Sequence, residues 1–161
     1  MNTEILFVGG TKKDVAEFSA FVEKELPEFK DRLKILGYKR HEEIPHFLCA
    51  ADVIVVPTSA KESIGSHETS PLKLFEGMAA RRPLVVSDTP SAREVVSDNE
   101  VIFFRPDDAK DLALAISQLL DNPAKASEKV KNAWEKVRGM SWDSRARKIL
   151  VFLNNQLRHC Q

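Results

Sequence analysis

The chain has 161 residues, 43% of them hydrophobic and 30% charged, which is enough for one domain with its own core and an ordinary soluble composition. Lys plus Arg and Asp plus Glu each number 24, so the formal net charge is zero, which argues against a general nucleic-acid binder. No apolar run approaches membrane-spanning length, and "MNTEILFVGG" has no basic region ahead of its apolar stretch, so neither a transmembrane segment nor a signal peptide is expected.

In chain order, "EILFVGG" reads as a short buried strand ending in a glycine turn. Thr11 caps a helix whose apolar positions Val15, Phe18, Val22 and Leu26 keep helical spacing, and Pro27 ends it. "RLKILGY" is a second strand. "HEEIPHFLCAA" is a short helix with Pro45 near its first turn. Cys49, among its apolar neighbours, reads as a reduced core thiol, and Cys160 lies near the chain end; the pair forms no motif. "DVIVVP" is a third strand, apolar throughout as a strand covered on both faces should be. After the polar loop "TSAKESIGSHET" comes a helix from Pro71 to about Ala80. "PLVVSD" and "EVIFFRP" are two further strands on either side of the short helix "SAREVV". "DDAKDLALAISQLLD" is amphipathic, and two more helices follow, "PAKASEKVKNAWEKVRG" and "SWDSRARKILVFLNNQL", the second with Ser141 or Asp143 as cap.

Strands alternating with helices imply βαβ units: a Rossmann-like, doubly wound parallel sheet of about five strands, with helices on both faces and C-terminal helices, in a single domain over 1–161. Such sheets bind ligands outside the carboxyl ends of their strands, here the loops after Val8, Ile35, Val56, Val86 and Phe104.

The helix after the third strand is the one that raises a question of chemistry. Ser70 can be its N-cap and Pro71 its first residue. Leu72, Phe75 and Ala79 share one face, with Leu74 and Met78 beside it, and this stripe reads as core; Lys73, Glu76 and Gly77 form the polar side. Lys73 stands in the first turn, where the helix dipole disfavours a cation. Two readings account for it. Either Lys73 is a solvated partner of Glu76 at i+3, or an anion sits at the helix N-terminus beside Lys73. In the second case Glu68 and Glu76 would accept hydrogen bonds from sugar hydroxyls next to a phosphate.

The segment "HETSPLKLFEGMAARRPLVVSDTPSAREVV" resembles the donor-binding part of retaining GT-B glycosyltransferases of group 1, also called family 4. Glu68 and Glu76 fall on that family's Glu-x7-Glu pair, and "FVGG", "ILGYKRHEEIPHFLCAADV", "ADVIVVPTS" and "SWDSRARKIL" fit it in order over nearly the whole chain. The resemblance implies a nucleoside diphosphate sugar (a UDP-, GDP- or ADP-sugar) as donor, with no cofactor and no protein-held metal. Glu76 would take the ribose hydroxyls, and Glu68 would face the donor sugar as the catalytic-site carboxylate. Ser70, Pro71 and Leu72 would lie against sugar and diphosphate with Lys73 close by, Pro71 contributing shape only. Tyr38 and Lys39 would meet the base, and Gly9 and Gly10 would let the chain pass near the nucleotide, although two glycines also simply end a strand in a turn.

The sequence departs from the family in having "TSPLK" where glycines usually follow the first glutamate, and "AARRP" where Ala-Gly is usual, with Arg81 and Arg82 suiting the helix dipole. The family's donor domain also opens with a further βα unit that bears an Arg and a Lys for the leaving diphosphate. Here "EILFVGG" matches the family's second strand, so the domain is expected to be incomplete at its N-terminus. Charge on a departing diphosphate is a major electrostatic contribution to such chemistry. The isolated chain is therefore expected to bind donor without transferring it, and to need an acceptor-binding N-terminal domain or partner chain. The alternative is a non-catalytic nucleotide-sugar-binding or interaction subunit. Either way the apolar surface left open by the absent unit gives scope for self-association, and a cytoplasmic location is expected, peripheral at a membrane surface through the partner domain.

Overall fold

The computed structural model describes residues 3–59, 61 and 72–158. Five short strands appear where the apolar runs placed them: β1 Ile5–Phe7, β2 Leu33–Ile35, β3 Ile54–Val56, β4 Leu84–Ser87 and β5 Ile102–Phe104. Between and after them run α1 Lys12–Glu25, α2 Ile44–Ala50, α3 Leu72–Ala79, α4 Pro90–Arg93, α5 Ala109–Leu120, α6 Pro123–Val137 and α7 Trp142–Arg158. All pairings are parallel, β1 with β2 in one sheet and β3-β4-β5 in another. The chain divides into two compact units, residues 1–46 and 47–161, each containing one of the sheets.

In the first unit the Thr11 hydroxyl accepts from the Asp14 amide while the Asp14 carboxylate accepts from the Thr11 amide at 2.7 Å, a closed capping box that starts α1. This bonding to Thr11 lowers the Asp14 pKa. Phe18 meets Phe7 edge-to-face, with ring centroids 4.9 Å apart, and so lays the helix on β1.

The second unit is covered on both sheet faces. Successive residues of β4 point to opposite faces. Leu84 and Val86 join Ile54, Val56, Leu74, Met78, Val96 and Ala133 on one side, while Val85 joins Ile102, Phe104, Ala115 and Leu119 on the other. The apolar reading of "DVIVVP" and "PLVVSD" therefore corresponds to strands buried from above and below. Helix α5 is capped by Asp108, whose carboxylate accepts from the Lys110 and Asp111 amides, and α6 by Asn122 ahead of Pro123. The Ser141 hydroxyl accepts from the Ser144 amide and caps α7, one of the two caps expected.

Two readings are corrected. Cys49 is exposed rather than in the core, because its face of α2 points to water. On α3 the buried face is Leu74, Gly77 and Met78, not Leu72 and Ala79, which are exposed. Glycine decides the orientation. A Cβ on Gly77 would stand 2.6 Å from Leu84 Cδ2, so this is the side on which the helix backbone comes closest to the sheet. Gly77 thus belongs to the packing and not to the polar side.

Candidate functional site

In the second unit the carboxyl ends of β3, β4 and β5 lie on one edge, as parallel pairing requires. The loops there are tied together: the Thr58 amide donates to Ser87 Oγ at 2.7 Å, and Ser59 Oγ donates to Asp107 Oδ2 at 3.2 Å. A cleft of about 400 Å³ opens at this edge, lined among others by Thr58, Ser59, Ser87, Phe104, Asp107 and Asp108. Asp107 has φ of 60°, a left-handed conformation that aspartate tolerates better than most residues. Among the described residues, none of the candidate donor-site residues named from the sequence lines this cleft. The general rule about strand ends pointed to the edge, but no local motif marked Ser87 or Asp107 individually.

Thr58 and Ser59 lead into residues 60–71, the segment carrying Glu68, Ser70 and Pro71; those three positions lie outside the described residues. The helix that follows is held firmly. Leu74 and Met78 are fully buried against β3 and β4, and α3 also packs on α6. At its end Arg81 turns left-handed, φ 54°, and its guanidinium lies 4.0 Å over the Trp134 ring of α6. Arg82 donates to the Cys49 carbonyl. These arginines, read as charges for the dipole, also fasten the helix to its neighbours.

With α3 fixed on its Leu74–Gly77–Met78 face, the opposite side presents Leu72, Lys73 and Glu76. Leu72 and Lys73 are exposed, and Glu76 is half-buried. Among the described residues Lys73 and Glu76 form no ion pair, so the bland account of both as one another's partner is not what the geometry displays. What remains is a half-buried carboxylate on a rigid helix with its acceptor oxygens unclaimed by any described side chain, an arrangement suited to hydroxyl donors.

The first unit gathers the other named residues. Gly9 and Gly10 follow β1 with φ of 126° and 88°, angles that L side chains rarely adopt. The Gly9 amide donates to the Gly37 carbonyl at 2.9 Å, and the Leu36 amide to the Phe7 carbonyl at 2.9 Å. The glycine turn after β1 is therefore stitched to the end of β2, which sets Tyr38 and Lys39 beside it on the same edge, Tyr38 exposed and Lys39 half-buried. Strand-ending turn and open backbone edge are the same structure here. Among the described residues no group of His, Cys, Asp and Glu could hold a metal ion, and no helix is long and apolar enough to cross a membrane.

Comparison with known proteins places these units. The family model described as "Glycosyl transferases group 1" matches residues 2–122. The alpha-D-kanosaminyltransferase of Streptomyces kanamyceticus is 30% identical over 105 residues, 65% of this chain and 25% of that protein. Among solved structures, a sucrose-phosphate synthase from Thermosynechococcus elongatus superposes with a TM-score of 0.76 at 26% identity, over 98% of this chain and 39% of its own. HepE of Anabaena, solved in complex with UDP and glucose, superposes with a TM-score of 0.75 at 19% identity, over 94% of this chain and 40% of its own. The chain thus spans about a quarter of that curated relative and about 40% of these solved ones.

Proposed function

The chain belongs to the group 1 glycosyl transferases, and on that premise we propose that it is the donor-binding part of a retaining glycosyltransferase that moves a sugar from a nucleoside diphosphate sugar to a hydroxyl acceptor. The observation that carries this reading is Glu76, half-buried on a helix pinned to the sheet by Gly77 and lacking a described side-chain partner. A carboxylate so placed accepts two hydroxyl donors without moving, which is what a ribose offers. Lys73, one turn nearer the helix start, supplies positive charge for the diphosphate, and the first-turn amides of α3 add to it. We assign Glu68 to the donor sugar and Ser70, Pro71 and Leu72 to the sugar and diphosphate. Tyr38, Lys39, Gly9 and Gly10 are assigned to the base and the adjoining backbone. Acceptor binding and the cations for the leaving diphosphate are assigned to the further polypeptide that relatives of this length imply, so the isolated chain binds donor and does not transfer it.

Calorimetric titration of the chain with UDP, GDP and ADP, and then with their sugars, tests this. Binding that prefers one base, weakened in Glu76→Ala, is the expected result and would name the donor base. Absence of binding at millimolar ligand would remove the donor-site reading for the chain as it stands.

A further inference from the structure

Strand β3 runs into Pro57, which has no N–H to offer β4, and the β3–β4 register ends at Val56 and Val86. On its other side β4 pairs one residue further, Ser87 with Phe104 of β5. The chain leaving β3 is therefore beyond the backbone ladder, and side chains take over. The Thr58 amide donates to Ser87 Oγ at 2.7 Å, and Ser87 is 1% exposed, so the acceptor is a buried hydroxyl shielded from competing water. Ser59 Oγ donates to Asp107 Oδ2 at 3.2 Å while accepting from the Lys61 amide at 3.2 Å. Asp107 belongs to the loop after β5. Two loops remote in sequence thus grip the stem that follows β3, and the donor reading makes no use of either. The other end of the same connection is anchored separately. Leu74 and Met78 are sealed against the sheet, and Gly77 sets α3 close to Leu84. Lys73 and Glu76 ride on that helix and do not rely on the stem. Glu68 stands between the two anchors in sequence and relies on both.

We propose that Ser87 and Asp107 are positioning residues for the donor sugar: by holding Thr58 and Ser59 they set the entry of the segment that carries Glu68. This rests on the functional reading above, in which Glu68 takes the sugar and Glu76 the ribose. The two residues act through Glu68 and are separate from the groups assigned to the nucleotide. Their effect is therefore selective. Loosening the stem lowers affinity for the sugar part of the donor and spares the nucleotide part, whereas general damage to the fold would weaken both. Its size is bounded as well. A tether can shift affinity by no more than its own worth, so one net hydrogen bond limits the loss to about tenfold.

The test compares binding of UDP, GDP and ADP with binding of their glucose, N-acetylglucosamine and mannose conjugates, by calorimetry on the full chain and its variants. Asp107→Gly is the central variant. Glycine adopts the φ of 60° held by Asp107, so the change removes the carboxylate without straining the loop. Asp107→Asn keeps an acceptor oxygen and tolerates the same φ. Ser87→Ala removes the acceptor for Thr58. The parent should bind one conjugate more tightly than its bare nucleotide. Asp107→Gly and Ser87→Ala should reduce that preference by roughly three- to tenfold with bare-nucleotide affinity unchanged, and Asp107→Asn should retain it. Ser59→Ala added to Asp107→Gly should cost little more than Asp107→Gly alone, since both remove one bond. Trypsin supplies a readout without ligand: cleavage after Lys61, followed by mass spectrometry, should be several-fold faster in Asp107→Gly than in the parent or Asp107→Asn. Equal weakening of nucleotide and conjugate overturns the proposal, because it marks a merely structural role. Unchanged preference in Asp107→Gly and Ser87→Ala overturns it too, with or without faster cleavage, and leaves the donor reading standing. A parent that binds no nucleotide overturns the donor reading and this assignment with it.

Discussion

Glu76 and Gly77 are neighbours in sequence with opposite tasks, and single substitutions separate them. Glu76→Ala removes an acceptor that no described side chain uses, so folding has little to lose. Its expected effect is on ligand: nucleotide affinity falls by about 1–2 kcal/mol, on the order of one hydrogen bond lost at a charged group, with the melting temperature nearly unchanged. Calorimetry and a thermal melt of the same preparation check both halves, and a large drop in melting temperature would return Glu76 to a structural role. Gly77→Ala does the reverse. The new methyl would sit 2.6 Å from Leu84 Cδ2, and Leu84 is buried and cannot swing clear. Overpacking of this kind costs about 1–3 kcal/mol, which outweighs the roughly 1 kcal/mol that alanine gains over glycine in a helix. The urea midpoint should therefore fall, and donor affinity should weaken as α3 lifts from the sheet.

At the level of elements, helix α6 is fastened to the loop before β5 by charge. The Glu100 carboxylate is almost buried; it accepts from the Ser97 amide at 2.7 Å, the Ser97 hydroxyl at 2.9 Å and Lys136 Nζ of α6 at 3.2 Å. Nearby, Lys129 donates to the Asp98 carbonyl, and Asp98 itself pairs with Arg93. Burial alone would raise the Glu100 pKa, but the bonds from Ser97 and Lys136 together outweigh it and hold the pKa below the ordinary value. A folded-state pKa below the unfolded one means stability that is present above about pH 4.3 and is lost as the pH falls through the folded value. Glu100→Gln keeps an acceptor for Ser97 and discards the charge. It should be less stable than the parent at pH 7, and the gap should narrow progressively as the pH falls below about 4.3 in a series of urea titrations. These elements also mark what was legible. The strands of the second unit and the start of α1 were readable because each rests on local chemistry, an apolar run between turns and Thr11 as cap; α5 and α6 were readable as helical runs, while their caps Asp108 and Asn122 emerge only from the structure. The buried face of α3 was not, because Leu72, Leu74, Phe75, Met78 and Ala79 surround an eight-residue helix and leave no clear stripe. The closeness of Gly77 to Leu84, which settles the face, is a property of packing between elements. The cleft beside Ser87 and Asp107 was illegible for the same reason, since its walls come from three separated loops.

Across the whole molecule the two units differ in what they bury, and their stabilities should differ accordingly. The second unit has two apolar clusters, one on each side of β3-β4-β5, with Leu74, Met78, Leu84, Val85 and Val86 sealed from solvent. In the first unit Val22 is the buried apolar side chain among the described residues, while Ile5, Leu6, Phe7, Phe21, Phe29 and Leu36 remain exposed. Strand β1 is apolar at successive positions, as an interior parallel strand would be, yet all three of its residues remain exposed even with Phe18 of α1 against Phe7. Burial is the main source of folding free energy, and regions poor in buried contacts open first. Hydrogen exchange followed by mass spectrometry should therefore show the amides of Leu84–Ser87 and Ile102–Phe104 protected longest, with those of Ile5–Phe7 and Leu33–Ile35 exchanging far sooner, although both sets are hydrogen-bonded in parallel ladders. Repeating the exchange at several protein concentrations separates two causes of any contrary result. Protection of the first unit that vanishes on dilution would mean that copies cover one another through the open face of β1. Protection equal to that of the second unit at every concentration would mean that the first unit is stable with Val22 as the single buried apolar side chain among its described residues, against the burial on which the expectation stands.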